Sequence, residues 1–255
     1  MAELYDSPKY YEIAFAWRDI KAEVDLFEKA IEEYGAIPVK NVLEICSGNS
    51  PHMVELVRRG YRYTGLDLSR AMLDYSIAKA KAEAVRADFI CADMVDFELK
   101  KKYEFAYIML GSFFATSTRE VFSHFESVAR VLKKGGLYLL DWCVQFEPPW
   151  ETKGSSNWEM EQEGIRVHTT VTWEPIKLAR QTFKETIVLD VNDKGREIKV
   201  TGTNVHRAIY PQEFRRMIDY SDDFEFVGWW NNWDLDKPLD FAYKISRPII
   251  LIRRI

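Results

Sequence analysis

Three turns carry the residues best suited to chemistry: "EICSGNSPH" at 44–52, "GLDLS" at 65–69 and "CADM" at 91–94. Each closes an apolar, strand-like run. Gly48 gives the first turn a position without a side chain, which lets backbone amides come close to a ligand. Asp67 follows 19 residues later, where a carboxylate can accept from both hydroxyls of a ribose; the plain alternative is a helix-capping turn with Ser69. Asp93 stands where it can accept from the exocyclic amine of an adenine, with the Met94 backbone beside the ring, or serves as an ordinary turn residue. Met72 packs either on that adenine or in the core. A turn that approaches a pyrophosphate needs glycine at the positions held by Cys46 and Ser50. Small side chains are tolerated there when the ligand is a nucleoside.

A second group of residues suits an acceptor molecule: Tyr10 and Tyr11, Ser112 and Phe113 after the fourth strand, Asp141 and Trp142 at the fifth, and His206, Arg207 and Tyr210 near the end of an alternating stretch. Tyr11, His206 and Tyr210 are the candidates for moving a proton or orienting a nucleophile. Arg207 suits an acidic group on the acceptor. Each has a structural alternative: His206 as a satisfied strand histidine, Arg207 paired with a neighbouring acid, Tyr10 and Tyr11 in helix packing. Trp229, Trp230 and Trp233 fit core or subunit contacts better than a cation cage. Cys46, Cys91 and Cys143 form no CxxC and no metal-ligand spacing, so no metal is expected.

These residues need elements to position them. Ile13, Ala16, Trp17, Ile20, Val24, Phe27 and Ile31 recur at helical spacing, and Gly35 follows as a stop. Strand-like runs then alternate with helices of 10 to 15 residues up to "GLYLLDWC", the pattern of βαβ units. From Trp158 to Arg207 the period changes to two, with turn signals such as "NDKG". "PQEFRRMIDYS" returns to helix, and "FEFVGWW" and "RPIILIRRI" close the chain as strands. The expected fold class is α/β: a doubly wound, seven-stranded, mostly parallel sheet with helices on both faces, plus an antiparallel β insertion after strand five. One domain is expected over 1–255, made of an N-terminal helical cap (1–35), a ligand-binding core (36–146), the insertion (147–210) and a C-terminal return to the core sheet (211–255).

Composition narrows the function classes. With 255 residues, 47% hydrophobic and a formal net charge of −5, the chain can bury a large core and lacks the basic footprint of a nucleic-acid protein. Nucleic acid is an unexpected partner. "MAELYDSPKY" lacks the features of a signal peptide, and no apolar run approaches the roughly 20 residues of a membrane helix. A cytoplasmic protein without membrane contact is expected; composition leaves its oligomeric state open.

In this order and spacing, "VLEICSGNS", "GLDLSRAML", "ICADMVDF" and "VLKKGGLYLLDW" resemble the successive motifs of class I S-adenosylmethionine-dependent methyltransferases. The likeness spans about residues 38–146 and departs at Cys46 and Ser50. More loosely, the N-terminal tyrosine-rich helix, the β insertion and "HRAIYPQEF" resemble small-molecule enzymes such as glycine N-methyltransferase and the sugar-amine N-methyltransferases. The resemblance implies S-adenosylmethionine as cofactor, S-adenosylhomocysteine as product, and a small-molecule acceptor methylated at nitrogen or oxygen by in-line displacement. It implies cofactor contacts from Glu44, Cys46, Gly48, Asp67, Leu68, Met72, Asp93, Met94 and Leu110. His52 would lie near the methionine carboxylate or merely start a helix. Ser112, Phe113, Asp141, Trp142 and Arg207 would face the acceptor. Two rivals stand beside this reading: an NAD(P)-dependent oxidoreductase, favoured by the Gly48–Asp67 spacing but not by the missing glycines or the Gly135–Gly136 turn, and a catalytically silent binding protein of the same fold.

Overall fold

The computed structural model describes residues 2–152, 155–242 and 244–255. Its larger sheet is built from β2 (Asn41–Ile45), β3 (Arg62–Asp67), β4 (Asp88–Cys91), β5 (Tyr103–Ile108), β6 (Leu132–Asp141), β11 (Phe224–Trp230) and β12 (Ile249–Arg254). They lie in the order β11-β12-β6-β5-β2-β3-β4. β12 runs antiparallel to both of its neighbours, and the pairings from β6 to β4 are parallel. The central β5, "YEFAYI", is buried at all six positions, as a strand covered by helices on both faces must be. The chain order turns back between β2 and β5, so a crevice opens at their carboxyl ends.

Helices α2 (Ile20–Tyr34), α3 (Met53–Arg58), α4 (Arg70–Ala82), α5 (Thr118–Val131) and α7 (Pro211–Asp219) surround this sheet, and the short α6 (Pro149–Thr152) precedes the second sheet. Their starts follow the local chemistry of caps: Asp19 accepts from the Ala22 amide at 3.0 Å and Ser69 from the Met72 amide at 3.3 Å. α5 passes directly into β6. The expected Gly135–Gly136 turn is a bulge inside the strand, where pairing jumps from Tyr103 with Leu132 to Phe105 with Leu137. Gly135 takes φ +84° there, a conformation glycine adopts without a steric cost.

The second sheet is an antiparallel meander of β7 (Ser155–Gln162), β8 (Ile165–Lys177), β9 (Thr182–Asp193) and β10 (Arg196–Arg207). A two-residue strand, β1 (Ala2–Glu3), pairs in parallel with β10 through Ala2 opposite Val200 and Glu3 opposite Thr201. The N-terminal cap is therefore split between the two sheets. α1 (Pro8–Ala14) and the turn before it pack Leu4, Ile13 and Ala14 against the inner row of the second sheet, whereas α2 packs Val24, Phe27 and Ala30 against the first. α1 is held from both sides: Trp158 Nε1 donates to the Ala14 carbonyl at 2.6 Å, and Glu12 accepts from Asn49 Nδ2 at 3.3 Å and from Tyr75 and Lys79. No helix among the described residues is long and apolar enough to cross a membrane.

Candidate functional site

The turn after β2 keeps the backbone of a glycine-rich loop without its glycines. Cys46, Gly48 and Ser50 have φ of 54°, 50° and 47°, so three alternate residues lie in the left-handed region. For the two that carry a Cβ this costs on the order of 1 kcal/mol each or more. The surrounding bonds hold the turn in place. The Ser47 amide donates to the Leu66 carbonyl at 3.0 Å, the Ser50 amide to the Ser47 carbonyl at 2.7 Å, and Ser76 Oγ to the Gly48 carbonyl at 3.1 Å.

Asp67 is tied to the same turn. Its Oδ2 accepts from the Gly48 amide at 2.7 Å and its Oδ1 from the Ser69 amide at 2.8 Å. Burial lifts its carboxyl above the ordinary value against the pull of those two amides. A carboxylate oxygen accepts more than one donor, so each can still take a ligand hydroxyl. Leu68, the next residue, is 68% exposed and offers an apolar surface beside that carboxylate. Asp93 is exposed, with its Oδ1 on the Val95 amide at 2.8 Å. Two carboxylates at or just after the ends of the adjacent strands β3 and β4, an exposed apolar side chain next to one of them and a left-handed turn bonded to it suit a nucleoside that needs hydroxyl acceptors and an apolar support.

Several expected cofactor contacts lie elsewhere. Met72 is fully buried in α4, as a core methionine is. The Met94 side chain is buried too, its sulfur accepting from the Phe114 amide at 3.3 Å, but the expectation there concerned the backbone, whose carbonyl accepts from His124 Nδ1 at 2.8 Å. Glu44, midway along β2, faces inward, with His52 Nδ1 3.1 Å from Oε1 and the Tyr63 hydroxyl on Oε2. His52 is fully buried and has Glu23 Oε2 2.9 Å from Nε2. Arg18 reaches the same Glu23 at 2.5 Å, and Arg247 joins Glu23 at 3.1 Å. Burial raises the Glu23 carboxyl, but the His52 and Arg18 hydrogen bonds outweigh it and hold it well below the carboxylate range.

This polar chain also claims Asp141, which was expected at the acceptor. Asp141 is fully buried and accepts a fork from Arg247, at 2.9 Å from Nε and 2.7 Å from the terminal nitrogen. It also accepts from the Leu110 amide at 2.9 Å. Leu110 and Gly111, both at positive φ, are thereby fixed at the end of β5. A charge paired in this way is a scaffold for the loop and no longer available to a ligand.

Beside the crevice lies a cavity of about 470 Å³ between the ends of β5 and β6, the N-terminal segment and the inner face of the second sheet. Tyr11, Ser112, Trp142 and His206, all named from the sequence, are among the residues that line it. Burial pushes the Tyr11 hydroxyl up, so it stays a neutral donor. Phe113 does not reach the cavity; it packs edge-on against His124, and the neighbouring Phe114 faces the space. Strand alternation explains the next correction. His206 points inward from β10, so Arg207 points out, where it pairs with Glu213 and donates to Gln181 Oε1 at 3.2 Å. Tyr210 caps α7 and lines a separate groove, and the Tyr10 hydroxyl leaves for Asp193 Oδ2 at 2.9 Å.

Sequence reasoning missed Glu185. On β9 the inward row reads Phe183, Glu185, Ile187, Leu189, Val191, and a single acid in an apolar row was the signal available. Its neighbours across the strands converge on it: Trp173 Nε1 donates to Oε2 at 3.1 Å, Asn204 Nδ2 to Oε1 at 3.4 Å, and His206 Nε2 lies 3.6 Å from Oε1. Burial alone would raise its carboxyl; His206, Asn204 and Trp173 bring it below the usual range. His206 stacks on Phe183 with ring centres 5.0 Å apart and planes 8° from parallel. Its Nδ1 lies 3.3 Å from the Phe113 carbonyl. A carbonyl only accepts, so Nδ1 carries the hydrogen.

Comparison with known proteins agrees with this geometry. Residues 42–136 match the family described as a methyltransferase domain. A protein of Geobacillus sp. (strain WCH70) that bears a provisional methyltransferase name is 30% identical over 115 residues, 45% of this chain and 47% of its own length. The match thus spans about half of that curated relative. Among solved structures, an S-adenosylmethionine-dependent methyltransferase from Clostridium acetobutylicum ATCC 824 superposes with a TM-score of 0.79 at 15% identity, covering 96% of this chain and 95% of the other. The sugar N-methyltransferase KedS8 from Streptoalloteichus sp ATCC 53650 gives 0.75 at 19% identity over 100% and 94%. CalS10, an amino pentose methyltransferase from Micromonospora echinaspora solved with S-adenosylmethionine bound, gives 0.71 at 14% over 96% of each chain. The fold is the methyltransferase fold, and the resemblance drawn from the ordered motifs is borne out.

Proposed function

We propose, from a chain with a methyltransferase-domain match over 42–136 and a methyltransferase fold throughout, an S-adenosylmethionine-dependent enzyme that methylates a nitrogen or oxygen of a small molecule. The observation that carries the reading is the left-handed turn Cys46–Ser50 hydrogen-bonded to Asp67 at the switch point of the sheet. When bound, the cofactor supplies an electrophilic methyl group on a sulfonium, which leaves as a neutral thioether.

The residues of the chain divide the remaining work. Asp67 takes the ribose hydroxyls, Leu68 supports the adenine and Asp93 accepts from its exocyclic amine. Cys46 and Gly48 offer backbone at the turn; burial keeps the Cys46 thiol neutral, so it adds no charge there. Leu110 and Gly111, held by Asp141 and Arg247, shape the passage between turn and cavity. Tyr11 lines the cavity, and burial keeps its hydroxyl neutral. The aromatic walls exclude water, which an in-line displacement needs. His206 Nε2, its partner Nδ1 being tied to Phe113, is the nitrogen able to exchange a proton with the acceptor. We propose further that 1–255 is one domain, because α1 is bonded both to the second sheet and to the turn and helix α4 that belong to the first.

Calorimetry tests the reading. S-adenosylhomocysteine binds with a dissociation constant near micromolar, about 8 kcal/mol. Asp67→Asn weakens that by about 2 kcal/mol, since a charged acceptor is lost. Tight NAD binding with no heat from S-adenosylhomocysteine would favour the oxidoreductase, and unchanged affinity in Asp67→Asn would remove Asp67 from the ribose.

A further inference from the structure

The walls of the acceptor cavity have a one-sided chemistry. Aromatic rings dominate them, among them Tyr5, Tyr11, Phe15, Trp158, Trp173 and Phe183. The acids Glu147 and Glu185 line it as well, and no lysine or arginine does so among the described residues. Arg207, the cation expected there, is turned away and neutralised by Glu213. An acidic acceptor would find no counter-charge on these walls. Polar side chains such as Ser112, Gln145 and Asn157 also line it, but the acids are its charged groups.

We infer that the acceptor is an amine carried on an aromatic or similarly apolar body, and that Glu185 recognises it as an ammonium. The inference rests on the methyltransferase reading of the same site. Three observations converge on it. Glu185 is the acid of β9 that lines the cavity, its carboxylate oriented by Trp173 and Asn204 from the two adjacent strands. Aromatic faces around a carboxylate attract a cation through their quadrupoles as well as its charge. The Tyr5 hydroxyl, 2.8 Å from Asn204 Nδ2, extends the bonded set from β9 and β10 to the N-terminal segment.

An ammonium has no lone pair to give, so its proton must leave first. It passes to Nε2 of His206, and the imidazolium formed is balanced by Glu185 and stacked on Phe183. The freed lone pair then makes the new nitrogen–carbon bond as the methyl group's bond to sulfur breaks, its electron pair staying on sulfur. The proton held by His206 returns to water when the product leaves.

The test is calorimetric titration of the full chain with three probes of one shape: 2-phenylethylamine, 2-phenylethanol and phenylacetate. The amine is expected to bind at least tenfold more tightly than the alcohol, about 1.4 kcal/mol, and phenylacetate more weakly than both. Glu185→Gln is expected to erase the preference, and Glu185→Asp, which keeps the charge, to retain most of it. Alcohol or carboxylate binding as tight as the amine, an undiminished preference in Glu185→Gln, or no binding of any probe at about 10 mM overturns the inference. The ranking on the unmodified protein decides even where Glu185→Gln does not fold. A parallel titration with S-adenosylhomocysteine separates the two readings. If it binds and the ranking is flat, only the amine falls; if it does not bind, the methyltransferase reading falls whatever the ranking.

Discussion

At the scale of single residues, the buried acid Glu23 has more at stake than any residue of the cofactor turn. It meets Arg18, His52 and Arg247 with a side chain only 4% exposed, and removing one member of such a set leaves the others uncompensated. Glu23→Gln is expected to cost about 3 kcal/mol at neutral pH in a denaturant titration. The pH dependence has a definite sign. The folded-state carboxyl lies below its ordinary value of 4.5, so its contribution is in place above that pH and fades as pH falls below it. The gap between parent and variant should therefore narrow on acidification; a gap that widens would show that Glu23 is not held as the ion. The turns of Asp67 and Asp93 were legible because a strand-end acid bonds the backbone just after it, here the Ser69 and Val95 amides. Glu44, Asp141 and Arg207 were not, because their partners, His52, Arg247 and Glu213, are set by which way each side chain points once the strands are paired.

At the scale of elements, the alternation of strand and helix and the change to period two announced both sheets. What the sequence hid was the division of the N-terminal cap. Its helical spacing runs almost unbroken from Ile13 to Ile31, yet the first helix serves one sheet and the second serves the other. The deciding contact is Leu4 on Gly202, fully buried against a strand residue with no side chain. A Cβ at 202 would come within 2.5 Å of Leu4 Cβ. Gly202→Ala is thus expected to push the N-terminal turn off β10 at a cost of about 1 to 3 kcal/mol, read as a lower denaturation midpoint with an unchanged slope. Wild-type stability in this variant would mean that Leu4 does not seat on β10. The same variant should weaken phenylethylamine more than S-adenosylhomocysteine, because Tyr5 lines the cavity, whereas the Cys46–Ser50 turn has further bonds to Leu66, Asp67 and Ser76.

At the scale of the whole molecule, neither the strand order nor the cavity could be read from the chain, since both depend on pairings between segments far apart. The formal charge of −5 and a cavity lined by aromatic rings and two acids, without a lysine or arginine among the described residues, point the same way, towards an acceptor that is not a polyanion. If the chain is one domain, heating should give one transition, with near-UV and far-UV dichroism coinciding; two separated transitions would divide the second sheet from the first. The short pairing of Ala2 and Glu3 with Val200 and Thr201 also sets an order of events during synthesis. Residues 2–14 leave the ribosome on the order of ten seconds or more before their partner strand, at ordinary elongation rates. Until residues 196–207 emerge, the tyrosines of that segment have no wall to join. The cavity therefore lacks the wall that β9 and β10 supply at a time when the strands from β2 to β6 are already made.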